Sequence, residues 1–159
     1  MRTFSTFLIG SVLVILAVKL SAAEEDRREF ETAKAEYEQS SRDESARITY
    51  VTKLAHIADR LVSQYRRSGE RNELMRPINS ELGKHPAPKD VDSKKLTQLL
   101  VGKWKSPRRT YVYRADGNWR IEGNQLIQGD LSGPIILLNQ DYFIYSSQGS
   151  VFFHSRVKE

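Results

Sequence analysis

The chain of 159 residues has no cysteine. That excludes disulfides, thiolate metal sites, a cysteine nucleophile and a lipoprotein-type acyl anchor. If the chain is exported, its core must hold without covalent staples. Histidine is scarce, and His56, His85 and His154 stand far apart, without the spacing of metal ligands. No serine lies in a nucleophile-elbow context, and no glycine run could cradle phosphate. Paired carboxylates for acid–base work are missing as well: Asp116 is accounted for by a turn and Glu122 by the outward face of a strand. These absences argue against an enzyme and leave no catalytic residue, metal ligand or cofactor to nominate. A long apolar run is lacking too. The stretch Thr3–Val18 falls short of the ~20 apolar residues that span a bilayer, and Lys19 interrupts it.

What stands at the start instead has the form of an export signal. Arg2 is a short positive region, Phe7–Val18 an apolar one, and Ser21-Ala22-Ala23 offers small residues for a signal peptidase. The segment 1–23 is therefore expected to be removed, placing the mature chain in a periplasm or outside the cell. Membrane attachment follows only if the segment is kept as an anchor. Net charge is +5, and loss of Arg2 and Lys19 leaves 23 basic residues against 20 acidic ones. The basic excess lies after position 85, where 11 cations meet 7 acids.

Three stretches repeat apolar residues at steps of three and four, the spacing of one helical face. In Glu24–Gln39 they are Phe30, Ala33 and Tyr37, and in Ile48–Tyr65 they are Val51, Leu54, Ala58, Leu61 and Tyr65. Between them Ser41-Arg42-Asp43-Glu44 has capping-box form, and Ser40, Glu44 and Arg47 would interrupt a continuous seam. The spacing predicts two helices, or one long helix with a weak middle. Ser68-Gly69 after Arg66-Arg67 reads as a helix stop. Leu74, Ile78 and Leu82 predict a third helix, broken or kinked at Pro77 and closed by Gly83. This helical region, 24–84, gives way to a linker over 85–91, stiffened by Pro86 and Pro88. Asp92 then caps a short helix, Ser93–Leu100.

From Lys103 the period becomes alternating. Strands are predicted at Lys103–Ser106, Thr110–Arg114, Asn118–Glu122, Gln125–Gln128, Pro134–Leu138, Tyr142–Ser146 and Ser150–Ser155. Among the turns between them, Asp116-Gly117 carries a hairpin signal that needs positive φ; Ser132-Gly133 and Gln148-Gly149 are others. Short connections imply sequential antiparallel neighbours. Ile135–Leu138 is apolar throughout, which implies cover on both faces. The fold class expected is α+β: an N-terminal helical hairpin or stalk, then a C-terminal antiparallel β-meander over 92–159. The region after Gly102 is too short for eight ordinary strands, so a compact sheet or half-barrel is expected instead of a deep calyx.

Several segments carry a resemblance: Asp92-Ser93-Lys94, Val101 to Arg108 (VGKWKSPR), Tyr113 to Gly117 (YRADG), Trp119 to Gln125 (WRIEGNQ), and the helical part ending in His85-Pro86. In these the chain resembles a group of small exported bacterial proteins with a helical stalk and a lipocalin-like β domain. The resemblance implies fold and export but no particular activity. Gly102-x-Trp104 is similar to the opening motif of lipocalins. Asn139-Gln140-Asp141-Tyr142 echoes a second motif, and Arg156 matches the terminal arginine that lies over the tryptophan. Burial of Trp104 beneath Arg156 or Arg109 is the expectation this implies.

Lys103, Lys105, Arg108, Arg109, Arg114 and Arg120 fall within eighteen residues, with Asp116 as the only acid among them. Interleaved with Trp104, Tyr111, Tyr113 and Trp119, they form the candidate binding surface, for a polyanionic surface or an acidic partner. Nucleic acid is disfavoured, because no nucleic-acid module is recognisable. The function expected is an exported, non-catalytic binding or interaction module with its ligand or partner on the β domain. The alternative is a structural, envelope-associated protein that self-associates through its helices.

Overall fold

The structure, a computed structural model, describes residues 24–65 and 68–158. The expected signal segment and Arg66-Arg67 lie outside the described residues. Helix α1 covers residues 24–39 and α2 Glu44–Gln64. They form an antiparallel hairpin: Arg60 bonds Asp26 at 2.9 Å, Lys53 pairs with Glu36, and Tyr37 stacks on Tyr50 with centroids 4.6 Å apart. Two helices, not one, follow the two stripes. The break is at Arg42, whose φ of 55° turns the chain back. The cap is Asp43, not Ser41: its side chain accepts from the Ala46 N–H at 2.8 Å, and Ser41 donates to Asp43 in turn. Arg47, polar within an apolar seam, reaches past it to donate to the carbonyls of His85 and Ile136.

Helix α3, Ser68–Leu82, is continuous through Pro77. The predicted helix stop is misplaced: α2 ends at Gln64, and Gly69 lies in the first turn of α3. Residues 85–91 are no free spacer. The Ala87 N–H donates to Ile135 O at 2.8 Å, and Asn124 Nδ2 donates to the Ala87 carbonyl, strapping the segment to the sheet. Asp92 caps α4, Ser93–Leu100, by accepting from the N–H groups of Lys94 and Lys95.

Seven antiparallel strands follow: β1 Gly102–Lys105, β2 Thr110–Tyr113, β3 Arg120–Glu122, β4 Gln125–Gln128, β5 Leu131–Leu138, β6 Tyr142–Ser147 and β7 Ser150–Arg156. Their order in the sheet is β2-β1-β7-β6-β5-β4-β3. This is a meander curled into a half-barrel, with its last strand laid against its first. The one sequential pair missing among these strands is β2–β3, which occupy opposite edges. That corrects the Asp116-Gly117 hairpin. Neither residue has positive φ, and the link is instead folded around Trp119, whose Nε1 donates to Arg114 O at 2.8 Å. A Cβ on Gly117 would come within 2.6 Å of that indole nitrogen. Positive φ at both central turn residues is found at Gln148 (49°) and Gly149 (74°), which join β6 to β7.

Strand β5 starts earlier than predicted, because Gly133 is a strand residue and not a turn. A Cβ there would overlap the Ser146 carbonyl oxygen of the neighbouring strand.

The sheet is covered on both faces. One face shares a core with the helices: Ile136, Leu137, Tyr142, Ile144 and Phe153 pack with Phe30, Leu54, Ile57, Leu61 and Leu82. The hairpin is thus laid on the sheet and does not project as a stalk. The other face holds Trp104, Tyr113, Ile121, Leu126, Ile135, Leu138, Phe143 and Tyr145, closed by Leu96, Leu99 and Leu100 of α4. A register shift between Ile135 and Leu137 puts Ile136 and Leu137 on the same, helical side. Ile135 and Leu138 enter the other core, so cover on both faces buries all four successive apolar residues.

Candidate binding cleft

The expected site residues divide among three places. The first is the corner where β1 begins. Trp104 is fully buried, its Nε1 donates to Leu100 O at 2.7 Å, and the Arg156 guanidinium carbon lies 4.3 Å from its ring centroid. Arg156 also donates to Val101 O at 3.0 Å. Gly102 has φ +139°, and a Cβ there would stand 2.6 Å from the Arg156 Nη1. Gly102, Trp104 and Arg156 therefore make one interlocked unit, and Arg156, not Arg109, covers the indole.

The second place is the edge strands of the sheet and β1 beside one of them. Arg114 opens the link from β2 to β3, and Arg120 on β3 pairs with Glu122 at 2.6 Å. Arg114 directly follows β2 and so stays at the end of the β1–β2 hairpin, whereas Arg120, on β3 at the opposite edge of the sheet, is not drawn onto it. Lys103 and Lys105 alternate with Trp104 on β1 and so face away from the inner core.

The third place is a cleft of about 730 Å³ between α3, the 106–109 turn and β7. Arg108 and Arg109 line it, and so does Arg71 of α3, which sequence reasoning missed. No acidic side chain is among its described lining residues. Ser106 shapes the turn: its Oγ accepts from the N–H groups of Arg108 and Arg109, and its N–H donates to Arg109 O at 2.9 Å. Arg109 is held over Tyr111, with Nε donating to the phenol oxygen at 2.8 Å and the guanidinium 4.7 Å from the ring centroid. The bond to Tyr111 holds the Arg109 pKa above its ordinary value.

Apolar surface comes from Val62 and Met75 on one side and from Phe152, 38% exposed, on the other. His154 lies at the floor beside the stacked pair Phe143 and Tyr145, its ring near-parallel to both, with Nδ1 donating to Phe143 O at 3.2 Å. Burial pushes its pKa down from 6.5 to about 4, so it is neutral at physiological pH. The positive field of the cleft is due to arginine.

The other two histidines are elsewhere. His56 meets the Tyr142 hydroxyl at 3.0 Å, and His85 lies 3.3 Å from Glu81. Among the described residues no three His, Asp or Glu side chains gather to hold a metal, and no helix is long and apolar enough to cross a membrane. Compared with protein-family models, curated proteins and solved structures, the chain matches none.

Proposed function

We propose that this chain is a non-catalytic binding module that takes an anionic partner in the cleft between α3 and the 106–109 turn. The observation that carries this reading is the convergence of Arg71, Arg108 and Arg109 on one concavity with no acid among its described lining residues. Guanidinium groups suit such a role because each offers a planar fork of donors to carboxylate, sulfate or phosphate. Their mutual repulsion is relieved by an anion, and exposed cations act over about one Debye length, ~8 Å at physiological salt. The helical stripe, which could have served self-association, is buried in this chain's own core. The location expected for such a module is outside the cytoplasm, from the form of residues 1–23.

The test is retention on a sulfated polymer at low and high salt. The native protein should be retained at low salt and released as salt rises. Substituting Arg71, Arg108 and Arg109 together by alanine should remove most of the retention. Equal retention of native and substituted protein, or retention that ignores salt, would leave the arginines as a solvated rim.

A further inference from the structure

The cleft contains a second recognition element besides charge. Strand β1 pairs with β7 only at Trp104↔Arg156 and Lys105↔Ser155. Beyond Lys105 the chain leaves β7 for the 106–109 turn, while β7 continues alongside β6 back to Ser150. The direction of the remaining main-chain groups follows from two bonds near the end of the strand. The Arg156 N–H donates toward the β6 side, to Asp141 O at 2.7 Å, and the Val157 N–H toward the β1 side, to Lys103 O at 3.0 Å. Main-chain groups alternate between the two edges of a strand, and the register with β6 is unbroken from Ser150 to Ser155. Val151 and Phe153 therefore turn their N–H and C=O groups to the β1 side, where β1 no longer runs. Both residues line the cleft.

We infer that the partner is an extended acidic peptide that adds a short strand to this open edge of β7. The inference rests on the cleft being the anion site. It adds that the anion is borne on a polypeptide whose backbone pairs with Val151 and Phe153. An interior strand with an unpaired stretch is a template for strand addition, in which main-chain bonds supply affinity and alternating side chains supply specificity. The two faces of such a strand would meet different walls. Side chains on the helical side reach Arg71 and Met75, and those on the other side reach Arg109, Tyr111 and Phe152. Carboxylates on either face thus find an arginine, and β-branched or aromatic residues between them find apolar surface. From Ser150 to His154 the edge spans about 13 Å at ~3.3 Å per residue, enough for a strand of about four residues. A second copy of this chain fits poorly, because edge-to-edge pairing of two β7 strands would set the arginines of one copy against those of the other.

The probe is a capped peptide of alternating glutamate and valine, added to the full chain at low salt, with amide hydrogen exchange read residue by residue. Exchange at the Val151 and Phe153 amides should slow at least tenfold on saturation, and Arg108→Ala with Arg109→Ala should weaken binding by a similar factor. The same peptide with every backbone nitrogen methylated keeps all its carboxylates and loses all its N–H donors, and it should bind at least tenfold more weakly. Equal affinity of the two peptides, or binding without protection at Val151 and Phe153, overturns strand addition while leaving the anion site standing. Retention on the sulfated polymer with no binding of the peptide removes the peptide as partner. Failure of both probes removes the site itself.

Discussion

Arg156 and Arg108 show two uses of one side chain within a single small sheet. At the corner where β1 begins, Arg156 fills the space left by the missing Cβ of Gly102, covers Trp104 and donates to Val101 O. Its charge and its planar shape are both consumed by the fold. In the cleft, Arg108 is exposed on a turn whose own geometry is set by Ser106 and not by the guanidinium. The first arginine can be removed only by disturbing a core, the second with the fold intact. A dense cluster of cations in a sequence is therefore not one site. Its members separate according to whether an indole, a carboxylate or open solvent awaits them. Substitutions at the corner should change stability and leave binding to the cleft, and substitutions in the cleft should do the reverse.

The largest effect is expected from Trp104→Ala. The indole is fully buried against Phe143, with centroids 5.8 Å apart, and its N–H satisfies Leu100 O. Truncation leaves a cavity and an unpaired carbonyl at once, and should cost about 3–5 kcal/mol in denaturant unfolding. A cost below about 1 kcal/mol would show that the corner is not closed around the ring.

Next is a pH effect at the floor of the cleft. His154 is neutral in the folded chain, with its pKa lowered by burial from 6.5 to about 4. Below pH 6.5 the unfolded chain takes up a proton that the folded chain refuses. Stability should therefore fall as pH drops from about 6.5 to about 4, with a total on the order of 3 kcal/mol at ~1.4 kcal/mol per pKa unit. The measurement is the difference between native protein and His154→Phe, which should lack this component of the slope. Parallel pH profiles would mean that His154 is hydrated in the folded state. A smaller effect is expected at Gly102→Ala. The φ of +139° and the approach of Arg156 Nη1 both oppose a Cβ there, and the loss should be roughly 1–3 kcal/mol in thermal or denaturant melts.

The helices were legible in the sequence because a stripe at steps of three and four has one physical meaning, and its apolar residues are the ones found buried on α2. So was the alternation that marks the strands, and with it the antiparallel half-barrel. What misled was local turn chemistry. Asp116-Gly117 carries the stronger hairpin signal, yet Trp119 folds back over the link, and the positive-φ turn is at Gln148-Gly149. A glycine is ambiguous between turning a chain and clearing space for a neighbour; Gly133 and Gly117 do the second, which only the neighbouring strand or ring reveals. The same limit applies to the site. Arg108 and Arg109 stood out by density, but Arg71 lies far away in sequence and reaches them only because α3 packs on β7. The open edge at Val151 and Phe153 was hidden for a related reason: it depends on where β1 departs, not on the composition of β7.

The smallest effect on stability, and the sharpest on the comparison, should come from separating the two turn arginines. Arg109 is held by Tyr111 through a hydrogen bond of 2.8 Å and by ring contact at 4.7 Å. Arg108 extends from the same turn without such a brace. A guanidinium held in place loses less conformational freedom when it meets an anion, so the braced arginine should contribute more to binding per charge. Arg109→Ala is therefore expected to weaken retention on the sulfated polymer more than Arg108→Ala. Tyr111→Phe, which keeps the charge and removes the phenol acceptor, should fall between native protein and Arg109→Ala. The two arginine variants should unfold within about 0.5 kcal/mol of native protein, since exposed side chains outside the core rarely cost more. Tyr111→Phe, which keeps the ring that packs against the inner core, should stay close to native as well. The measurement is the salt concentration at which half of each protein elutes, taken beside its denaturation midpoint. If Arg108→Ala and Arg109→Ala elute together, only the number of charges matters and the Tyr111 brace contributes nothing to recognition. If Tyr111→Phe elutes with native protein while Arg109→Ala elutes early, the ring face alone holds the guanidinium.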